Sequence, residues 1–243
     1  MTRVALVTGA SGAIGSAIAQ KLAADGMAVA VHWSTNRVGA DDCVATIEKS
    51  GGTAISVQAD LRRTKQVEVL FQTVLNRFGQ LDVVVANAGT GAPAAAFHNI
   101  TDEDLDAALG TNVKATFKVL RQAAKTVADH GRIIAISSSL VDFPSTGMAT
   151  YAGSKAIVRT WAKVLAEELG SRQITVNTVS PGPTIPGMFN FAGPDLCEEA
   201  AAASPLGRLG EPQDTAEVVS FLAGDGGAWI TCQHMLVNGG ATM

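Results

Sequence analysis

A chain of 243 residues is long enough for one large domain or two smaller ones, and 47% hydrophobic against 16% charged residues suits a sheet covered on both faces. The net charge of -4 comes from interspersed acidic and basic residues, which leaves no basic stripe for nucleic acid, and no apolar run reaches the roughly 18 residues that span a bilayer. With the first strand starting almost at Met1 and no signal-peptide pattern, a cytoplasmic protein is expected, with Cys43, Cys197 and Cys232 as reduced thiols and no metal site.

Apolar, β-branched runs at 4–7, 28–31, 54–57, 83–86, 133–136, 174–179 and 235–237 predict seven short strands. Helical periodicity at 14–24, 67–78, 105–127, 152–169 and 215–222 lies between them. This alternation predicts an α/β fold of Rossmann type: a doubly wound, seven-stranded parallel sheet with helices on both faces and right-handed crossovers. No Pro- or Ser-rich linker and no repeat divides the chain, so residues 1–243 read as one domain. The long irregular stretch is 181–204, with four prolines, placed after the sixth strand where open α/β sheets bind ligands. A substrate loop over about 184–204 is expected there, with Met188, Phe189, Phe191 and Leu196 as an apolar wall.

In chain order, the first motif is Thr8-Gly9-Ala10-Ser11-Gly12-Ala13-Ile14-Gly15, a glycine turn between the first strand and its helix. Glycines let the backbone approach a pyrophosphate, and the free N–H groups and dipole of the helix start attract its charge. The second strand ends His32-Trp33-Ser34-Thr35-Asn36-Arg37. With no carboxylate there to repel a 2′-phosphate, and with hydroxyls, an amide and Arg37 as donors, NADP(H) is favoured over NAD(H); alternatively, Arg37 points into solvent. Asp60-Leu61 follows the third strand, where Asp is also a common helix cap, and Asn87-Ala88-Gly89 closes the fourth. Asn112, inside the long helical stretch, reads either as a functional kink or as an exposed polar residue.

Tyr151-Ala152-Gly153-Ser154-Lys155 is the strongest feature. Residues four apart share a helix face, so a phenol and an ammonium stand side by side, and the cation is expected to lower the Tyr pKa and make it an acid/base. Tyr151 is the only tyrosine. Of Ser137, Ser138 and Ser139, strand alternation turns the middle one to the opposite face from its neighbours.

Asn112, Ser138, Tyr151 and Lys155, in this order and spacing, resemble the catalytic tetrad of the short-chain dehydrogenase/reductase family, and the likeness covers nearly the whole chain. It extends to Ser180-Pro181-Gly182-Pro183-Thr184, to Pro205-Leu206-Gly207-Arg208 and to Asn238-Gly239-Gly240. The Thr-Gly opening fits as well, although the T-G-x-x-G-x-x-G spacing resembles the extended branch. Chain length and the later motifs resemble the single-domain branch of about 250 residues, which usually has glycine where this chain has Ala13.

The resemblance implies that Tyr151 protonates a carbonyl oxygen as hydride arrives, that Ser138 donates a hydrogen bond to that oxygen, that Lys155 holds the nicotinamide ribose, and that Asn112 supports a proton-relaying water. It implies cofactor contacts from Gly9, Ser11, Gly12, Ile14 and Gly15, from residues 33–37, and from Asp60, Leu61, Asn87, Ala88, Gly89, Tyr151 and Lys155. Pro181, Gly182 and Thr184 would cradle the carboxamide; Pro186 stands where relatives often carry Thr.

The expected activity is hydride transfer between NADP(H) and a small carbonyl or secondary alcohol, in a homotetramer built on helices near 102–128 and 152–169 and on the last strand. One alternative is a 3-oxoacyl-acyl-carrier-protein reductase, disfavoured because Asp129 accompanies Arg172 at the two positions where basic residues would dock an acidic carrier. The other is a non-catalytic NADP-binding sensor or scaffold, for which an intact Tyr/Lys pair has no use.

Overall fold

The computed structural model describes residues 2–242; the side chain of Phe191 lies outside the described part. Strands β1 (Val4–Val7), β2 (Ala28–Trp33), β3 (Thr53–Gln58), β4 (Val83–Ala86), β5 (Arg132–Ile136), β6 (Thr175–Pro181) and β7 (His234–Val237) form one sheet. Its order is β3-β2-β1-β4-β5-β6-β7, and every neighbouring pair is parallel. The helices are α1 (Ala13–Ala24), α2 (Arg37–Lys49), α3 (Thr64–Phe78), α4 (Asp102–Ala108), α5 (Thr116–Thr126), α6 (Ala149–Leu169), α7 (Pro194–Ala202) and α8 (Pro212–Ala223).

Strand alternation sends neighbouring side chains to opposite faces, and each face has its own core. Leu6, Ala30, Val84, Ile133 and Val176 pack under Leu70 and Phe71 of α3, Leu120 of α5 and Val158 of α6. Val7, Val31, Val85 and Ile134 face the other way, against Ile18 and Leu22 of α1, Ile47 of α2 and Val219 of α8. The crossover direction reverses between β1 and β4, and that reversal opens a crevice at the carboxyl ends of these strands.

The structure departs from the sequence reading in three places. Helix α2 has too faint a stripe for periodicity to register, since only Ala40, Cys43 and Ile47 are buried. The 181–204 stretch is only partly irregular: Met188–Phe191 makes a 3₁₀ turn and α7 follows, with Pro194 in the first turn, where its missing N–H is harmless. The long helix read over 105–127 is interrupted by a π-helical turn, Leu109–Ala115.

Candidate active site

Gly9 opens the first turn with φ +66, and a Cβ there would sit 2.9 Å from Ala88 Cα. A Cβ on Gly15 would lie 2.4 Å from the Gly9 carbonyl and 2.6 Å from Asn87 Nδ2, so only glycine fits. Gly12 is exposed, and its Cβ would meet nothing nearer than 3.6 Å. Gly12 caps α1 without a side-chain bond and no acid occupies the first turn, which leaves the helix start electropositive and open to a pyrophosphate. Asn87 holds the turn from β4, its Nδ2 donating to the carbonyls of Thr8 (2.9 Å) and Gly9 (3.3 Å). Thr8 Oγ1 accepts from the N–H groups of Asn87 and Ala88. Thr8 is a bracing residue that the motif reading passed over.

Beside this turn, Asn36 caps α2 by accepting from the Gly39 N–H and donates to the Ser11 carbonyl at 3.0 Å, tying the two βα loops together. Trp33 packs on the core, and the Ser34 carbonyl accepts from Gln58. Arg37 is exposed and pairs with Asp41 at 3.2 Å. Asp60 is not the cap of α3: its carboxylate takes the Arg62 N–H and guanidinium, at 2.9 Å from Nε, while Leu61 is buried.

Asn112 is fully buried, which overturns its reading as an exposed polar residue and supports the kink. Its Oδ1 accepts from the Thr90 N–H (2.9 Å), and its Nδ2 donates to the Thr90 carbonyl (3.0 Å) and to Ser154 Oγ (3.1 Å). Lys155 Nζ, also buried, donates to the Ile136 carbonyl at 3.0 Å. A Cβ on Gly89 would sit 3.1 Å from both Asn112 Oδ1 and Lys155 Nζ, so Gly89 is the place where the two side chains meet the chain leaving β4. Tyr151 stands one helical turn before Lys155, with Nζ 6.0 Å from its ring centre. Ser137 Oγ turns away and donates to the Lys155 carbonyl, whereas Ser138 Oγ accepts from the Leu140 N–H and is the serine hydroxyl that acts on the Tyr151 phenol.

The electrostatics reverse one expectation. Burial raises the Tyr151 phenol above its ordinary value, and the Ser138 hydroxyl only partly opposes this. Burial also pushes Lys155 down to about 8, so the ammonium is itself weakened as a charge source.

A second cluster steadies the serine loop. Asp142, four residues past Ser138, accepts from Arg159 of α6 at 2.6 Å and pairs with His234 Nε2 of β7 at 2.8 Å, while His234 Nδ1 lies 3.0 Å from Thr178 Oγ1. Burial acts to raise the Asp142 carboxyl, but the bonds from Arg159 and His234 outweigh it and hold the group below the usual range. Past β6, the Gly182 N–H donates to the Val237 carbonyl, and a Cβ at Gly182 would sit 2.7 Å from that of Asn238. Pro181 ends β6, and Thr184 Oγ1 donates to the Gly182 carbonyl, closing the turn on itself. Among the described residues no three His, Cys, Asp or Glu side chains are grouped to hold a metal ion, and no helix is long and apolar enough to cross a membrane.

A family model described as enoyl-(acyl carrier protein) reductase matches residues 9–242. The chain is 41% identical over 249 residues to a short-chain type dehydrogenase/reductase of Picea abies, spanning 98% of this chain and 92% of the relative. It is similar to the angucycline C-6 ketoreductase LanV, solved with bound NADP (TM-score 0.92, 40% identity, covering 98% and 95% of the two chains). It is also similar to a short chain dehydrogenase from Burkholderia cenocepacia in complex with NADP (TM-score 0.93, 37% identity, covering 99% and 98%). Sequence, sheet order and relatives agree: the chain belongs to the short-chain dehydrogenase/reductase family of oxidoreductases.

Proposed function

We propose that the protein is an NADP(H)-dependent ketoreductase acting on a small or medium carbonyl/alcohol pair, built as one domain with 184–204 as its substrate segment. The observation that carries this reading is that Asn112 and Lys155 meet at Gly89, with Tyr151 one helical turn before Lys155 and the Ser138 hydroxyl acting on its phenol. The cradle fits a dinucleotide on its own geometry: two glycines that admit no Cβ, an uncapped helix start, and no acid among residues 33–37. NADPH, when bound, supplies the hydride. Tyr151 donates its proton to the substrate oxygen, and Ser138 donates a hydrogen bond to the same atom. Lys155, whose Nζ meets the chain at Gly89, would hold the cofactor ribose, and Asn112 fixes the Thr90 backbone. LanV, named as a ketoreductase, supports a ketone as the substrate class. Met188 and Leu196, exposed on the segment after β6, suit an apolar substrate.

NADPH oxidation with a panel of ketones and diketones tests this reading, and tight NADPH binding without turnover on any of them would instead favour a sensor. Carrier-linked substrates fit less well. Arg172 is engaged by Asp129 at 2.8 Å and by the carbonyls of Ala124 and Val127 at the end of α5, which leaves little charge for an acidic carrier.

The raised phenol is protonated throughout the neutral range, the form that reduction requires and oxidation does not. Ketone reduction is therefore expected to stay level across neutral pH, while alcohol oxidation climbs as pH rises; initial rates in both directions check this, and a reduction rate that climbs with pH refutes it. For cofactor choice, NADPH is expected to show the lower KM. Arg37→Ala is expected to raise the KM for NADPH by about tenfold, the value of one charge-assisted hydrogen bond, without changing that for NADH.

We place the protein in the cytoplasm, where its three free thiols stay reduced, and as a homotetramer. Phe117 and Val164 lie exposed on α5 and α6, and Leu236 on the edge strand β7. Light scattering should give four times the chain mass, and a monomer would remove the proposal.

A further inference from the structure

We propose that His32 is a positioning residue for the dinucleotide, a buried strut that holds the glycine turn in the shape the pyrophosphate requires; this rests on the cofactor reading above. His32 is the fifth residue of β2 and is 1% exposed. An imidazole so placed is costly unless both nitrogens are bonded. Both are: Nδ1 lies 3.0 Å from the Gly9 N–H, and Nε2 lies 3.0 Å from the Ala59 carbonyl oxygen.

These partners fix the tautomer. The Gly9 amide can only donate, so Nδ1 is the acceptor, the ring proton sits on Nε2, and the Ala59 carbonyl receives it. Burial, which pushes the ring down to about 4, keeps it neutral at neutral pH. The main chain adds a second hold, since the Ala10 N–H donates to the His32 carbonyl at 2.9 Å. Two successive amides of the turn therefore hang from one residue. Opposite them, Gly9 backs onto Ala88, where a Cβ would lie 2.9 Å from the Ala88 Cα. Ala59, the other anchor, directly precedes Asp60, so the ring spans the gap between the turn after β1 and the end of β3. Removing Nδ1 would leave the half-buried Gly9 N–H without its partner and free the turn to rotate.

The test compares wild type, His32→Leu and His32→Asn as full-length protein, by NADPH Kd and by steady-state rates on an accepted ketone. Leu fills the space without an acceptor, whereas Asn returns an oxygen close to the place of Nδ1. His32→Leu is expected to raise Kd and KM for NADPH by about tenfold, the consequence of one half-buried donor left unsatisfied, with kcat at saturating NADPH within threefold of wild type. His32→Asn is expected to recover most of that loss. A folded His32→Leu that binds NADPH like wild type overturns the proposal alone; wild type that fails to bind NADPH overturns the cofactor reading and the proposal with it. Histidine ¹⁵N spectra of the wild type need no variant to fold: an unprotonated Nδ1 on His32 is expected, and a protonated one refutes the strut.

Discussion

Replacing Tyr151 with phenylalanine is expected to lower kcat for ketone reduction by about 100- to 10,000-fold, the range of a lost general acid, with NADPH Kd within about twofold of wild type. The change removes one oxygen and leaves the ring over Lys155, at 6.0 Å from Nζ. No second phenol can substitute, because the chain has a single tyrosine. Ser138 still offers its hydroxyl to the substrate oxygen, so a trace of activity should survive, as polarisation alone persists when proton donation is gone. The two roles separate in the kinetics: a donor that acts only as the carbonyl is reduced moves kcat and kcat/KM together. A variant that keeps more than a tenth of the rate would remove Tyr151 from the chemistry.

Gly15→Ala is expected to destabilise the protein by about 2–3 kcal/mol, the upper part of the range for overpacking, and to remove measurable NADPH binding. The added carbon would stand 2.4 Å from the Gly9 carbonyl, 2.6 Å from Asn87 Nδ2 and 2.8 Å from Ala10 Cα. None of these is the free end of a flexible chain. Two are backbone of the glycine turn, and the third is the amide that bonds Thr8 and Gly9. Relief therefore requires moving the turn itself. Gly12→Ala is the control, for its carbon meets nothing closer than 3.6 Å and should change stability by less than about 1 kcal/mol. Urea unfolding with NADPH titration checks both variants, and equal behaviour of the two would show that the turn yields where packing says it cannot.

These two glycines also show what a motif conveys. The pattern marks Gly9, Gly12 and Gly15 alike, but only coordinates distinguish those that packing demands from one that has room. The sheet was legible because strands such as Val83–Ala86 are buried on both faces and so read as unbroken apolar runs. Helix α7 was hidden by the prolines around it, although Pro194 at its first position is a start signal. Tyr151 and Lys155 were legible as a pair since four residues make one turn, yet their electrostatics were not, because burial is a property of the whole fold. Nothing local announces that Asp142 meets His234, 92 residues away, or that His32 reaches Gly9.

The π-helical turn at Leu109–Ala115 makes chain length itself part of the site. Such a turn carries one residue more than an α-helix of the same rise. Excising one residue of the turn other than Asn112 would let α4 and α5 merge into one regular rod, leaving the two helices in place but turning the side chains between them to new directions. Asn112 could not then face Thr90 and Ser154 together, however faithfully its identity were preserved. The surplus residue is thus as necessary as the amide that it aims, and a shortened segment would be inert with every named catalytic side chain still present.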